Sequence, residues 1–299
     1  MQSAEQVLAV LRKRGELWEA APGLVGMRGD LLALHRALER VIAELARSQA
    51  PDEWGVPAAL AWDTLKTADY FASFPQWLSA ASHLSSDRAV LERVARGDDP
   101  RREFVPADAA LPPAVCYHTY AALAGRILES PTLMTAQGTC WRHEGERLAA
   151  LERGWAFTMR EVVCLGAGDE CEVFRCGGIE QAIALAESLG LDEEVVPATD
   201  PFFAPTARGK ELLQRIKGLK HELVLPLGPD RGIAAASFNH HETFFGEAFD
   251  IRLADGQPAS SACVAFGIER WTLAFLVAHG PDAAHWPAIP HLESATWQP

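Results

Sequence analysis

Basic residues are scarce in this chain: 27 lysines and arginines stand against 40 acidic residues among 299, a formal net charge of −13. A nucleic-acid backbone is a polyanion, so an acidic chain binds it poorly unless a local basic face compensates. No apolar run approaches the roughly 18 residues that a membrane helix needs. The opening MQSAEQVLAVLRKRGE reads as an amphipathic helix without a signal-peptide cleavage pattern, so the cytoplasm is the expected compartment. The six cysteines include no CxxC pair. That excludes a zinc ribbon read from local spacing and argues against a disulfide framework. What is present is 48% hydrophobic and 22% charged, a composition for one large domain with a substantial core.

Ser3-Ala4-Glu5-Gln6 has the form of a capping box and predicts a short helix within residues 1–20. Pro22-Gly23 separates it from a second helix. Asp30 is placed to cap that helix, and Leu31, Leu34, Leu38, Val41, Ile42 and Leu45 recur at helical spacing up to Pro51-Asp52. Residues 54–78 read as a strand, a turn and an irregular loop, and 87–97 as a short helix. From Leu111 to Leu165 strands alternate with a helix near 119–129. A helix at 179–189, a loop at 191–206 and a basic helix at 208–219 form a helical insertion over about 179–220. Strands are expected at 221–227, 232–238, 246–252 and 260–266, with a last helix at 268–279. Many strands with short hairpin-like links predict an α+β domain over 1–299, a mainly antiparallel sheet flanked by helices.

Three segments carry chemistry. In Cys140-Trp141-Arg142-His143-Glu144-Gly145, Arg142 and Glu144 lie two apart and would share one face of a strand. Phe157 and Glu161, four apart, share a face of the next. Arg270 follows the Gly267 turn and opens an apolar helix. Together they suit a nucleotide: arginines for phosphates, a carboxylate for the adenine edge, an aromatic ring for its plane. An Arg-x-Glu alone is most often a surface ion pair; the three segments together could hold a nucleotide.

These segments resemble motifs 2 and 3 of the class II aminoacyl-tRNA synthetases. Over residues 25–280 the chain resembles the catalytic core of the archaeal, zinc-dependent seryl-tRNA synthetases, with helix 30–47 and Pro57 in the place of motif 1 and Phe74-Pro75 in a following loop. The resemblance implies that Arg142 holds the α-phosphate, Glu144 the adenine amino group and Arg153 the γ-phosphate. It implies that Gly154 lies against ATP, that Phe157 stacks on the base and that Arg270 covers its other face and reaches the γ-phosphate. Ala234, Ala235, Ala236 and Ser237 stand in the strand that lines the nucleotide. Arg142 and Arg270 are the implied catalytic residues. The first glycine of motif 3 is replaced by Ala265, and the glutamate that helps hold Mg2+ is missing near Ile233.

Cys116, Glu161 and Cys263 stand where that synthetase type holds Zn2+, and the resemblance makes them, with Pro201, the amino-acid pocket. Read as residues alone, the two cysteines are buried small hydrophobes. His118 and His143 are expected to be non-ligands, and the other four cysteines core or loop residues. The motif 1 helix begins by residue 30 and only residues 281–299 follow the last helix, so no tRNA-binding module is expected. This combination resembles the amino acid:[carrier protein] ligases more closely. They activate glycine or alanine with ATP and load it on the phosphopantetheine thiol of a small acidic carrier protein. The class II resemblance implies a homodimer built on motif 1; no tRNA partner is expected on the acidic charge and the missing modules, and no membrane partner on the lack of long apolar runs. Arg208, Lys210, Arg215 and Lys217, in the densest basic stretch, are the expected carrier-docking residues; the same pattern also describes a solvated helix face. Two other readings stay open: a minimal tRNA-charging enzyme, and a non-catalytic paralogue that senses an amino acid.

Overall fold

The structure is a computed structural model that describes residues 2–50, 52–203 and 208–290, with Arg208, Lys210 and Leu213 described by their backbone alone. The side chains of Arg208 and Lys210, expected at a docking face, lie outside the described residues.

A seven-stranded sheet organises the chain. Its strands are β1 (Asp52–Gly55), β2 (Thr132–Trp141), β3 (Ala156–Gly166), β4 (Glu194–Pro197), β5 (Lys220–Pro226), β6 (Gly232–His240) and β7 (Ser260–Gly267). They lie in the order β4-β5-β6-β7-β3-β2-β1. Every neighbouring pair is antiparallel except β1 with β2, the α+β arrangement expected.

Side chains alternate between the faces with period two. One face takes α1 (Ala4–Lys13), α2 (Gly29–Gln49), α4 (Gly168–Ser188) and α6 (Ile268–His279). Their apolar stripes meet the sheet in one core, where Leu31, Leu34, Leu38 and Ile42 of α2 join Trp271 and Phe275 of α6. Trp271 is fully buried and its indole N–H donates to Ala235 O at 3.0 Å, so the last helix is fixed to the strand behind the cavity. The other face carries α3 (Cys116–Ala122) and a second, aromatic core around Tyr70, Tyr120 and Phe245. Among the described residues no helix is long and apolar enough to cross a membrane.

Several expectations are corrected. The capping box at Ser3 and Gln6 forms, but α1 stops at Lys13. Residues Leu17–Ala21 and Leu24–Met27 pair as a hairpin where more helix and a break were expected. Gly23 turns that hairpin with φ +71°, and its carbonyl accepts from Trp155 N at 2.8 Å. Helix α2 begins at Gly29 without a side-chain cap from Asp30; Glu16 Oε2 accepts from Leu31 N at 3.1 Å instead. The helix expected at 119–129 is the shorter α3, and the one at 179–189 is the end of α4, which has 21 residues. Residues 54–78 hold two short helices, Trp62–Thr67 and Tyr70–Ser73. The strand expected at 246–252 is a helical turn, Phe244–Ala248. Phe245 and Phe249, one turn apart, are both buried, and Phe245 stacks on Tyr120 with centroids 4.0 Å apart.

Candidate functional site

A cavity of about 850 Å³ lies on the sheet face opposite α2, α4 and α6. Phe157, Met159 and Glu161 of β3, Cys263 and Ala265 of β7, and Ser237 and Asn239 of β6 line it, alternate residues of three adjacent strands. Ala234, Ala235 and Ala236 also border it, with Ala235 and Ala236 packed into the helix-side core behind. The 17–27 hairpin contributes Val25, a wall that no motif predicted.

Arginines gather at one end. Arg142 and Glu144 lie just beyond β2, which ends at Trp141, and not within a strand as expected. Arg142 Nε donates to Pro113 O at 2.9 Å, and its guanidinium lies over the rings of Trp77 and Phe157, 5.2 and 5.4 Å from their centroids. The ring expected to stack on adenine therefore faces Arg142 here. Glu144 accepts from Arg153 Nη1 at 2.9 Å and lies 3.6 Å from Arg147. Arg270 donates from Nε to Glu152 O and from Nη1 to Ala234 O, each at 2.8 Å. Its burial, with Arg142 and Arg153 nearby, pushes its pKa down to about 10. Crowded guanidiniums in a half-closed cavity form a field suited to a polyanion. Gly154 closes the loop into β3, where an added Cβ would meet Ala156 O at 2.5 Å.

Thiols gather at the other end. The ligand atoms of Cys116, Glu161 and Cys263 lie within 4.8 Å of one another, and all three residues are buried. Strand register explains part of this. Glu161 is paired with Ala265, and Cys263 with Val163, so the two are diagonal neighbours on one face. Cys116 comes from the first turn of α3, whose backbone N–H groups hold the carboxylate: Val115 N to Oε1 at 2.8 Å, Cys116 N to Oε2 at 3.1 Å. Burial raises the Glu161 pKa to about 7, with Cys263 adding to it. The thiols are coupled: Cys116 is pushed up by sharing its proton with Cys263 and by burial, and Cys263 is pulled down by that same hydrogen bond. Two thiols and a carboxylate, buried together with a cavity on one side, suit a zinc ion that keeps a position open.

Pro201 also lines the cavity, in a loop held by Gln76 Nε2 to Pro201 O at 3.0 Å. Beside it Asp200 binds Lys220 Nζ at 2.5 Å and Gln214 Nε2 at 2.7 Å. Gln214 belongs to α5 (Arg208–Lys217), the expected basic helix. Arg215 there pairs with Glu211 and Lys217 with Glu242, at 3.2 and 2.7 Å. Neither basic side chain lines the cavity itself, though Glu242, the partner of Lys217, does. His118 and His143 are outside the Cys-Glu-Cys group, and Cys140, Cys164 and Cys171 are buried. Asp200, in the 191–206 loop, and Lys220, at the end of the basic stretch, also line the cavity, as do Glu222 and His241, which sequence reasoning missed. Strand pairing brings Glu222 opposite Ser237, and no local spacing announces it.

No protein-family model matches the chain. Amino acid–[acyl-carrier-protein] ligase 2 of Bradyrhizobium diazoefficiens is 34% identical over 274 residues, 89% of this chain and 81% of its own. The type-2 serine–tRNA ligase of Methanothermobacter thermautotrophicus is 27% identical over 274 residues, 86% of this chain but 53% of its own. Among solved structures, M. kandleri SerRS, in complex with A. aeolicus tRNASec, superimposes with a TM-score of 0.85 at 23% identity, covering 96% of this chain and 59% of that one. That likeness shows the fold: the sheet and its flanking helices are those of a class II seryl-tRNA synthetase. On the ligase match, which spans most of both chains, this chain belongs to the amino acid–[acyl-carrier-protein] ligases.

Proposed function

We propose that the chain activates glycine, with alanine the second choice, as its adenylate and passes it to the phosphopantetheine thiol of a small acidic carrier protein. The observation that carries this reading is that one cavity joins the arginine end to the Cys116–Glu161–Cys263 end. A substrate of two poles fits such a cavity: a triphosphate at one pole, a small amino acid at the other, the reacting carboxylate and α-phosphate between.

Arg142 and Arg270 would bind the phosphates and hold the α-phosphate for in-line attack by the carboxylate; pyrophosphate leaves. Glu144 and Phe157 would take the adenine edge and face, Glu144 exchanging Arg153 for the base amino group. Cys116, Glu161 and Cys263 would hold zinc, which when bound supplies a Lewis-acid grip on the substrate amino group. Met159, Tyr117 and Phe245 wall that end, which supports a substrate with little or no side chain. Glu222 stands beside Ser237 and is the carboxylate we assign to magnesium in place of the one missing at Ile233. In the second step the carrier thiol attacks the adenylate carbonyl, loses its proton and expels AMP.

The test offers labelled glycine, ATP and magnesium to zinc-loaded protein with two acceptors, bulk tRNA and a phosphopantetheinylated carrier. Hydroxylamine-labile label on the carrier is expected. Label on tRNA alone would replace this reading by a minimal synthetase. Label on neither, with no pyrophosphate exchange for any amino acid, would leave a non-catalytic sensor.

Carrier docking is assigned to α5. Its Leu212 and Ile216, one turn apart, are 56% and 71% exposed, beside Arg215 and Lys217. An apolar strip with a basic edge suits an acidic partner. Gln214 on the same helix reaches Asp200 beside the pocket. The double reversal Arg215→Glu, Lys217→Glu raises the carrier KM about 10-fold and leaves pyrophosphate exchange unchanged. An unaltered carrier KM would move docking elsewhere.

A further inference from the structure

His241 takes no part in the reading above, yet its ring lies against the thiol end of the cavity. Ser261 Oγ lies 3.1 Å from its Nδ1 and Tyr120 Oη 3.4 Å from the same nitrogen. Its Nε2 lies 3.8 Å from Cys263 Sγ. The ring is held from several sides: His241 N donates to Ser261 O at 2.8 Å, and Phe245 meets it edge-on with centroids 4.9 Å apart. Asn239, paired with Cys263 across β6 and β7, points Nδ2 at the same sulfur from 3.5 Å.

Two hydroxyls face Nδ1. Ser261 and Tyr120 are fully buried, and burial keeps the Tyr120 phenol protonated. A hydroxyl donating to Nδ1 leaves the neutral ring's proton on Nε2, the nitrogen beside the sulfur. His241 also stands outside the group whose ligand atoms lie within 4.8 Å of one another. Its position fits a donor to a ligand and not a ligand. Two thiolates and a carboxylate bring three negative charges to a divalent ion, an excess that N–H donors to a sulfur relieve.

We propose that His241 is a positioning residue for the metal centre, its Nε2–H donating to the Cys263 thiolate and, with Asn239, fixing the direction and charge of that sulfur. This rests on zinc binding at Cys116, Glu161 and Cys263.

Two measurements test it on the full chain: zinc affinity by competition with a chromogenic chelator, and the thiolate-to-metal charge-transfer band after cobalt(II) substitution. His241→Phe keeps the ring shape without the donor. It is expected to lower zinc affinity about 10- to 100-fold and to move the cobalt band to longer wavelength, because an unrelieved thiolate gives up charge more easily. His241→Gln returns an N–H near the Nε2 position and is expected to recover most of both. Ser261→Ala combined with Tyr120→Phe frees the tautomer and is expected to give a smaller loss in the same direction. Wild-type affinity and band position in His241→Phe would overturn the proposal. So would equal losses in the Phe and Gln variants with an unmoved band, which would make His241 a packing residue only. A wild-type protein that takes up neither metal would instead remove the zinc reading itself, and this inference with it.

Discussion

Replacing Arg142 with alanine lowers amino-acid-dependent ATP–pyrophosphate exchange about 10³-fold, equivalent to ~4 kcal/mol of lost transition-state stabilisation. The size follows from how the guanidinium is held before any substrate arrives. Its Nε is tied to Pro113 O, and its guanidinium lies over the rings of Trp77 and Phe157. A donor already aimed at the phosphate need not reorganise as charge develops there, which is where such groups act most strongly. The loss should therefore fall on kcat more than on the KM for ATP. Arg142→Lys should recover little, because an ammonium cannot stack flat, keep the Pro113 bond and fork onto phosphate oxygens together. Arg153→Ala should cost less, about 10-fold, because its side chain is 45% exposed and a solvated charge is weaker. Exchange in Arg142→Ala within tenfold of the wild type, in a protein with unchanged thermal melting, would take Arg142 out of the chemistry.

The sequence discloses this part of the site because Arg142, Glu144, Phe157 and Arg270 sit in short segments where local order is informative. Arg270 opens a helix after a glycine turn, and that is where it is found. The thiol end is different. Cys116, Glu161 and Cys263 are brought together by strand register and a helix start, so residue spacing is blind to them; the resemblance alone pointed there. His241 and Glu222 are less legible still, since their places depend on which strands pair. The misread elements have physical causes. Phe244 to Phe249 is a short apolar run that periodicity cannot assign to strand or helix, and packing of Phe245 and Phe249 on one side decides it. Pro22-Gly23 suits a break between helices, but a Pro-Gly pair flanked by short apolar runs equally marks a hairpin. The hairpin forms because Gly23 meets the backbone of Trp155 and Ala156. Fold class survives such errors because it depends on the number of strands and their links, whereas a site depends on individual side chains.

Cys263→Ser and Cys116→Ser should each empty the proposed zinc site and slow glycine-dependent pyrophosphate exchange by about 10²-fold or more, the scale of loss when a reacting group is displaced by an ångström or so. Serine keeps the volume of cysteine but is a poor partner for zinc, which prefers the soft thiolate. Zinc content after dialysis, read beside the exchange rate, separates loss of metal from loss of fold. The pH dependence gives a second check with a definite sign. Only deprotonated ligands bind the ion. The Glu161 carboxyl, raised to about 7 by burial, holds its proton well above the usual carboxylate range. Cys116 also keeps its proton, which it shares with Cys263. Protons therefore compete with zinc, and zinc uptake releases them. Apparent affinity should rise steadily with pH through 7 and fall about tenfold for each unit below it from Glu161 alone. Glu161→Gln cannot ionise and lacks the charge, so its residual affinity should be weaker throughout and lose that part of the slope. Retention of full zinc content and full exchange in both serine variants would place the amino-group site elsewhere. It would leave the buried thiols as packing residues, the reading that the two cysteines invite when taken alone.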